Sequence, residues 1–477
     1  MTTRHRCDLA IMGAGLAGLA AGLRAAEQGL SVLVLEKLTE ARHICNSRMT
    51  GGIFHVALDG LLDAPPLIAE RIRKATEGTA EPVLVEAVSE DALRLVRWLQ
   101  SQGVRFMRSG REAWQTFTLA PPSLPQFGRQ WQGRAGDVML RTLEGSLMKH
   151  DGRVLRGHRA TRLMMQCEGC CGIEGLTADG TPFEIEARAV VLADGGFQAN
   201  HALLAEHISP QPAHMKQRNA QTGFGDALAM ARAVGAGDVG LSEFYGHLLS
   251  RSSLDNDALW PFPWADDLAR SSIVVGADGR RIADEGLGGV YLANQLARLP
   301  DPASTFVVFD AATWNGPGRL RAMSANPYMI EAGGTLHSAP TLAGLAALAG
   351  LPQHALAAEV ESYNDALAAG DLARLSPPRT VPKSPAWAIT RGPFHALPIV
   401  PGITYTMGGI RIDGDSRVLD ANGRTLAGLY AAGAATGGLE GGPCAGYVGG
   451  LVKAGVTGLR AGEHAVRTQL AARHAVD

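Results

Sequence analysis

The chain has 477 residues, 46% hydrophobic and 19% charged, with a formal net charge of −2. That length exceeds what one hydrophobic core holds, about 250–300 residues, so more than one domain is expected, and the near-neutral balance gives no field for nucleic acid or anionic lipid. There is no apolar run of about 18 residues and no charged-then-apolar leader, and the six cysteines are few and scattered, which reads as a reduced, cytoplasmic protein without a membrane span.

In chain order, the first elements form a βαβ unit. The strand LAIM runs into Gly13-Ala14-Gly15-Leu16-Ala17-Gly18, then an alanine-rich helix, then the strand SVLVLEK with Glu36 and Lys37 at its end. Gly13 permits the tight turn, Gly15 lets backbone N–H groups approach a pyrophosphate, and Gly18 lets helix and strand pack closely. The helix N-terminus faces the phosphates with roughly half a positive charge, and Glu36 stands where a carboxylate accepts both ribose hydroxyls. The fingerprint does not by itself choose between NAD and FAD.

Next comes ICNSRMTGGIFH, residues 44–55, rich in small side chains. CEGCC at 167–171 lies between the apolar runs TRLMM and GIEGL as a hairpin turn would. Its single CxxC has no second ligand pair at zinc spacing, so it is read as structural, and no metal site is expected. ARAVVLADGGFQAN (187–200) and TGFGDALAMARAVGAG (222–237) follow. SSIVVGADGRRIADE predicts a hairpin turning at Asp278-Gly279, and HALAAEVESYNDALAAG an amphipathic helix. PGITYTMGGIRID (401–413), GLYAAGAATGGLEGG (428–442) and GGPCAGYVGGL (441–451) close the series.

In this order, over nearly the whole chain, these segments resemble the fumarate reductase and succinate dehydrogenase flavoprotein superfamily, which also contains urocanate reductase, tricarballylate dehydrogenase and 3-ketosteroid dehydrogenase. The resemblance implies an α/β fold: a Rossmann-like, GR2-type FAD-binding domain (residues 1–240 and 395–477) with an inserted α+β capping domain (241–394) that excludes water during hydride transfer. FAD is the implied cofactor. Carried over by position, Ser47, Thr50, Gly51 and Gly52 form the loop under the flavin, and Ala193, Asp194 and Gly195 match the Ala-Thr-Gly turn with Asp in place of Thr. Gly433 matches the glycine that meets the ribityl phosphate, and Ala434 replaces a family Glu. A helix over 446–460, starting at Gly446 and including Gly449, would aim its N-terminal amides at the pyrimidine edge of the flavin. Membrane members link FAD through a His before their Gly-Gly. NSRMT holds none, so the cofactor is expected to be noncovalent.

Departures from the family narrow the substrate. The first carboxylate-clamping Arg position falls on Cys444, a substrate His falls on Tyr405, and the proton-donating Arg falls at about Gly289. Asp267 and Arg270 keep the acid-x-x-Arg spacing of the family's proton relay, and His247 in FYGHLL stands about where a substrate His does. Tyr245 and Arg281 are assigned to the pocket with Cys444. Phenols and a thiol suit a neutral, more apolar substrate better than a dianion. The leading expectation is desaturation beside a carbonyl: Tyr447 and the Gly446 amide stabilise the enolate, Tyr405 or His247 is the base, and hydride passes to flavin. The substrate would be a ketone or carboxylic acid derivative, with an external electron acceptor or donor. Three alternatives stand beside it: a reductase of an activated alkene, a flavin oxidase or monooxygenase, and a non-catalytic flavin-binding protein. Arg251, Arg270 or Arg281 are the arginines that would rebuild a dicarboxylate clamp.

Overall fold

A computed structural model describes residues 2–474 except 129, 168 and 381–384. Its larger sheet runs, in spatial order, Arg417–Leu419, Thr425–Ala431, Pro182–Leu192, β1 (Thr3–Met12), β2 (Val32–Glu36) and Arg153–Arg156. β1 is parallel to both neighbours, so its second half is covered on both faces and reads as the apolar run LAIM. Helix α1 (Leu16–Ala26) follows the glycine turn, and its closeness to the strand is set by Gly18, where a Cβ would stand 1.9 Å from the Gly13 carbonyl oxygen. The C-terminal helix, Gly450–His474, packs as closely on α1: side chains at Gly458 or Gly462 would meet the α1 backbone at 2.4 Å.

The hairpin expected around CEGCC is formed by His158–Gln166 and Gly169–Thr177, with Cys170 buried and unbridged; Glu168 of that turn lies outside the described residues. No group of His, Cys, Asp and Glu among the described residues is arranged to hold a metal ion, and none of their helices is long and apolar enough to cross a membrane.

A second, six-stranded sheet is built on the strand Phe394–Thr406, which pairs with Phe244–Ser250, Thr305–Asp310, His337–Ala339 and the short Lys216–Gln217, while Ile273–Val275 lies outside Thr305–Asp310. The proposed cap, 241–394, thus supplies strands whose shared partner follows it in the chain. The helix expected near residue 354 spans Gln353–Ala369 and buries Leu356, Val360, Tyr363 and Ala366, one stripe at helical spacing.

Two local expectations need correction. Beyond the turn at Gly279 (φ +75°) the predicted hairpin returns only as a single bridge, Val275 to Arg281, because Arg281 is drawn into a buried ion-pair cluster with Glu285 at 2.6 Å and with it Arg379. The helix expected from Gly446 begins instead at Gly450. The Glu440 carboxylate accepts from the amides of Val448 and Gly449, and Gly449 sits at φ +147°, so 441–449 is held as a loop.

Candidate active site

A single continuous cavity of about 810 Å³ runs from the glycine turn after β1 to Tyr245, Trp264 and Arg321 in the proposed cap. Its volume is at the upper end of the usual range for ligand sites, about 300–1,000 Å³. At one end stand Gly13, Gly15, Leu16 and Ala17, with Glu36 at the end of β2 and Lys37 just after it. Gly13 (φ +103°) passes so close to the neighbouring strand that a Cβ would lie 2.5 Å from the Ala193 oxygen. Glu36 is buried and accepts from the amide of Leu38 at 3.0 Å and, weakly, from that of Ala14 at 3.4 Å, leaving lone pairs for ribose hydroxyls. Lys37 donates to the Thr222 carbonyl.

Ser47, Thr50, Gly51 and Gly52 line the middle, opposite Ala193, Asp194 and Gly195, with Gly433 and Ala434 beside them. The loop carrying Ser47 is fixed from below: buried Arg48 pairs with buried Asp137, and Gly136 has no side chain where one would strike the Ser47 carbonyl at 1.9 Å. Asp194 is pushed up to about 7, chiefly by burial, with Lys37 opposing. One of its oxygens has no partner and the other accepts from Ala227. The Gly433 amide is committed to Thr457 Oγ1 at 2.9 Å, so what Gly433 offers a cofactor is space rather than a free N–H. Gly18 and Gly449 lie off the lining. Turn, acid, small-residue loop and helix start together make a cradle of the length and chemistry that a flavin dinucleotide needs. The helix start that borders this cradle is Gly450 and Leu451 rather than Gly446.

The far end is aromatic. The Tyr245 and Tyr447 rings stack with centroids 4.0 Å apart. Tyr245 Oη lies 3.0 Å from His247 Nε2, and His247 Nδ1 lies 2.6 Å from Asp266 Oδ2, whose other oxygen accepts from the Leu248 amide at 2.8 Å. Trp264 stacks on the imidazole at 3.8 Å. Burial lowers the His247 pKa against the opposing pull of Asp266, and Asp266 is itself held low, its burial outweighed by His247 and the Leu248 amide. The pair therefore rests as neutral imidazole and carboxylate.

Several sequence assignments do not meet there. Tyr405 lines the cavity, but its hydroxyl donates to the buried Glu440 carboxylate at 3.0 Å. Burial and that charge raise it well above the ordinary phenol value, which removes it as a base. Cys444 is off the cavity, its thiol on Glu77 and pushed up to about 12 by burial and then by that carboxylate. The Gly446 amide is bonded to Gly441 at 2.7 Å and cannot serve an enolate. Arg281 is locked in its cluster with Glu285, away from the site. Asp267 and Arg270 do line the cavity and pair at 3.0 Å, with Arg321 on the same carboxylate. Sequence reading missed Asp266, Arg321 and Arg218.

A family model described as an FAD binding domain matches residues 8–446. The chain belongs to the FAD binding domain family. With its relatives, this flavoprotein is an FAD-dependent oxidoreductase. It is 26% identical over 445 residues to an NADH:fumarate oxidoreductase of Klebsiella pneumoniae, covering 91% of this chain but only 45% of that protein. It is 27% identical to a 4-oxocyclohexanecarboxylate 2-dehydrogenase of Sinomonas cyclohexanicum, over 94% of this chain and 90% of the relative. In fold it is similar to the 3-ketosteroid Δ4-(5α)-dehydrogenase of Rhodococcus jostii RHA1, with a TM-score of 0.74, 22% identity and 97% of each chain covered.

Proposed function

We propose that this flavoprotein desaturates a carbon–carbon bond next to a carbonyl group. The observation that carries the reading is the hydrogen-bonded series Tyr245, His247, Asp266, which meets the cavity at Tyr245, with Tyr447 stacked on it, and ends in a carboxylate. Removing the α-proton needs a base that is unprotonated at working pH, and neutral His247 meets that need through Tyr245. The Tyr245 oxygen takes the proton from the α-carbon as its own passes to His247 Nε2, and Asp266 stabilises the imidazolium that results. Bound FAD supplies the acceptor for the hydride that leaves the β-carbon.

The Tyr447 hydroxyl remains a donor, since burial first and then neighbouring Tyr245 and Glu440 raise its pKa well above the ordinary value. It donates to the substrate carbonyl, where the enolate oxygen gains charge. Gly289 gives the series its room. Gly289 lies at about the position expected for the family's proton-donating Arg, and a Cβ here would stand 2.1 Å from the Asp266 carboxylate, so the acid and its histidine occupy space that a side chain would fill. The Sinomonas relative, named as a 2-dehydrogenase of a cyclic keto acid, supports the direction.

Anaerobic mixing of the FAD-loaded protein with saturated cyclic ketones and with their enones tests it. Bleaching of oxidised flavin by a ketone is expected. Reoxidation of reduced flavin by enones, with no ketone able to reduce it, would replace desaturation with alkene reduction.

A further inference from the structure

We infer that Arg218 is an anion anchor, and that the substrate is a monocarboxylate with a flat or ring-shaped apolar body. This rests on the reading that substrate occupies the aromatic end of the cavity. Among the described residues four arginines line that cavity, and three are already matched: Arg159 by Asp226 at 2.9 Å, and Arg270 and Arg321 together by Asp267. Among the described residues Arg218 has no carboxylate partner. One Nη donates to Thr404 Oγ1 at 2.8 Å, and Nε is buried with nothing to receive its proton.

A guanidinium taken from water retains its charge and needs compensation for lost hydration. One neutral hydroxyl and the Trp264 ring, 5.2 Å away, supply only part of it. The position is also rigid: the Arg218 amide donates to the Ile403 carbonyl at 2.8 Å, and Asn219 Nδ2 donates to the same oxygen at 3.0 Å. A planar donor pair fixed in a partly dry pocket fits a carboxylate.

The local charge count sets the valence. Among the described residues at this end, Arg218, Arg270 and Arg321 face Asp266 and Asp267, with His247 neutral, which leaves one positive charge for the ligand to match. Tyr245, Tyr447, Trp260, Phe262 and Trp264 line the space beside it and suit an apolar ring. A dicarboxylate would bring one charge too many, so the site is distinct from the two-armed clamp whose first position is Cys444.

The test is equilibrium binding to the FAD-loaded protein, read as perturbation of the flavin absorbance by benzoate and by its neutral isostere benzamide. Benzoate should bind at least about tenfold more tightly than benzamide. Arg218→Gln should weaken benzoate about 10- to 100-fold while leaving benzamide and FAD content unchanged. Arg218→Lys should recover part of the loss, as a point charge does. Equal binding of the two probes, no binding of benzoate, or full benzoate affinity in Arg218→Gln overturns the assignment. So does a larger loss in Arg321→Gln than in Arg218→Gln, or loss of FAD from Arg218→Gln, which would give the arginine to the cofactor. Turnover plays no part here: benzoate bound through Arg218 in a protein whose flavin no ketone bleaches would sink desaturation and leave the anchor standing.

Discussion

Gly289→Ala separates stability from chemistry at one atom. Gly289 starts the helix Gly289–Ala297 with a backbone that an L-residue adopts, so alanine there is not strained and gains about 0.4–1 kcal/mol from the less flexible unfolded chain. Its methyl would stand 2.1 Å from both Asp266 Cγ and Oδ2, and the carboxylate, at the end of a rotatable side chain, must swing away. That breaks contacts of 2.6 Å to His247 and 2.8 Å to the Leu248 amide, each a charged hydrogen bond of about 1.5–3 kcal/mol. Partial re-solvation of Asp266 returns much of this, so thermal stability should change by no more than about 2 kcal/mol. Chemistry should suffer more. Without Asp266 the imidazolium loses its stabilising charge, and flavin reduction by a reactive cyclic ketone should slow about 10- to 100-fold, at 1.36 kcal/mol per decade. The pH profile gives the signature. Asp266 is the group that raises His247 against burial, so its removal lowers the histidine pKa further and the acid limb of the rate should move to lower pH. Single-turnover stopped-flow across pH, beside a thermal melt, reads both. A parent-like rate and an unmoved acid limb in a folded Gly289→Ala protein would refute the relay.

Tyr447→Phe and Tyr245→Phe should keep FAD but lose about 100- to 1000-fold in the reduction step, whereas Tyr405→Phe, whose donor serves Glu440, should stay within a few-fold; the same stopped-flow assay ranks them. Asp194→Asn should stabilise the apoprotein at pH 8. The carboxyl rises from its ordinary 3.8 to about 7 on folding, roughly three units or about 4 kcal/mol at most, so the native protein loses stability as pH climbs through that window and the amide does not. Urea melts at pH 4 and pH 8 check this, with the gain expected only at the higher pH. FAD should leave on acid precipitation, with a yellow supernatant over a colourless pellet. Colour kept in the pellet would mean a covalent link.

The cofactor half was legible because its requirements are local. A tight turn, a close approach and an acid at a strand end fall within one βαβ unit, and each demands a residue type at a fixed offset. The substrate half is assembled from distant segments, and one-residue differences matter there. Asp267 and Arg270 do pair across one turn of the helix Asp266–Ser271, as their spacing suggested, yet the acid that holds His247 is Asp266. Neighbours on a helix point about 100° apart, so spacing to Arg270 said nothing about which of them reaches the histidine. Arg218 follows a two-residue strand in a segment without periodicity, and its meaning comes from having no carboxylate paired with it among the described residues, which no motif records. Gly446 failed as an amide donor because Glu440, sequentially close but unremarked, organises the loop ahead of the helix.

The strand Phe394–Thr406 carries a mechanical implication. Its first part is laced to the cap strand Thr305–Asp310, and its last residues form the site floor: Thr404 touches Arg218, Tyr405 reaches Glu440, and Thr406 Oγ1 accepts the Phe197 amide. A lid that swung as a free door would have to unzip this seam or drag the floor with it. Seam and floor are one length of chain, so a tug on the cap is felt at Tyr405 and Arg218 together.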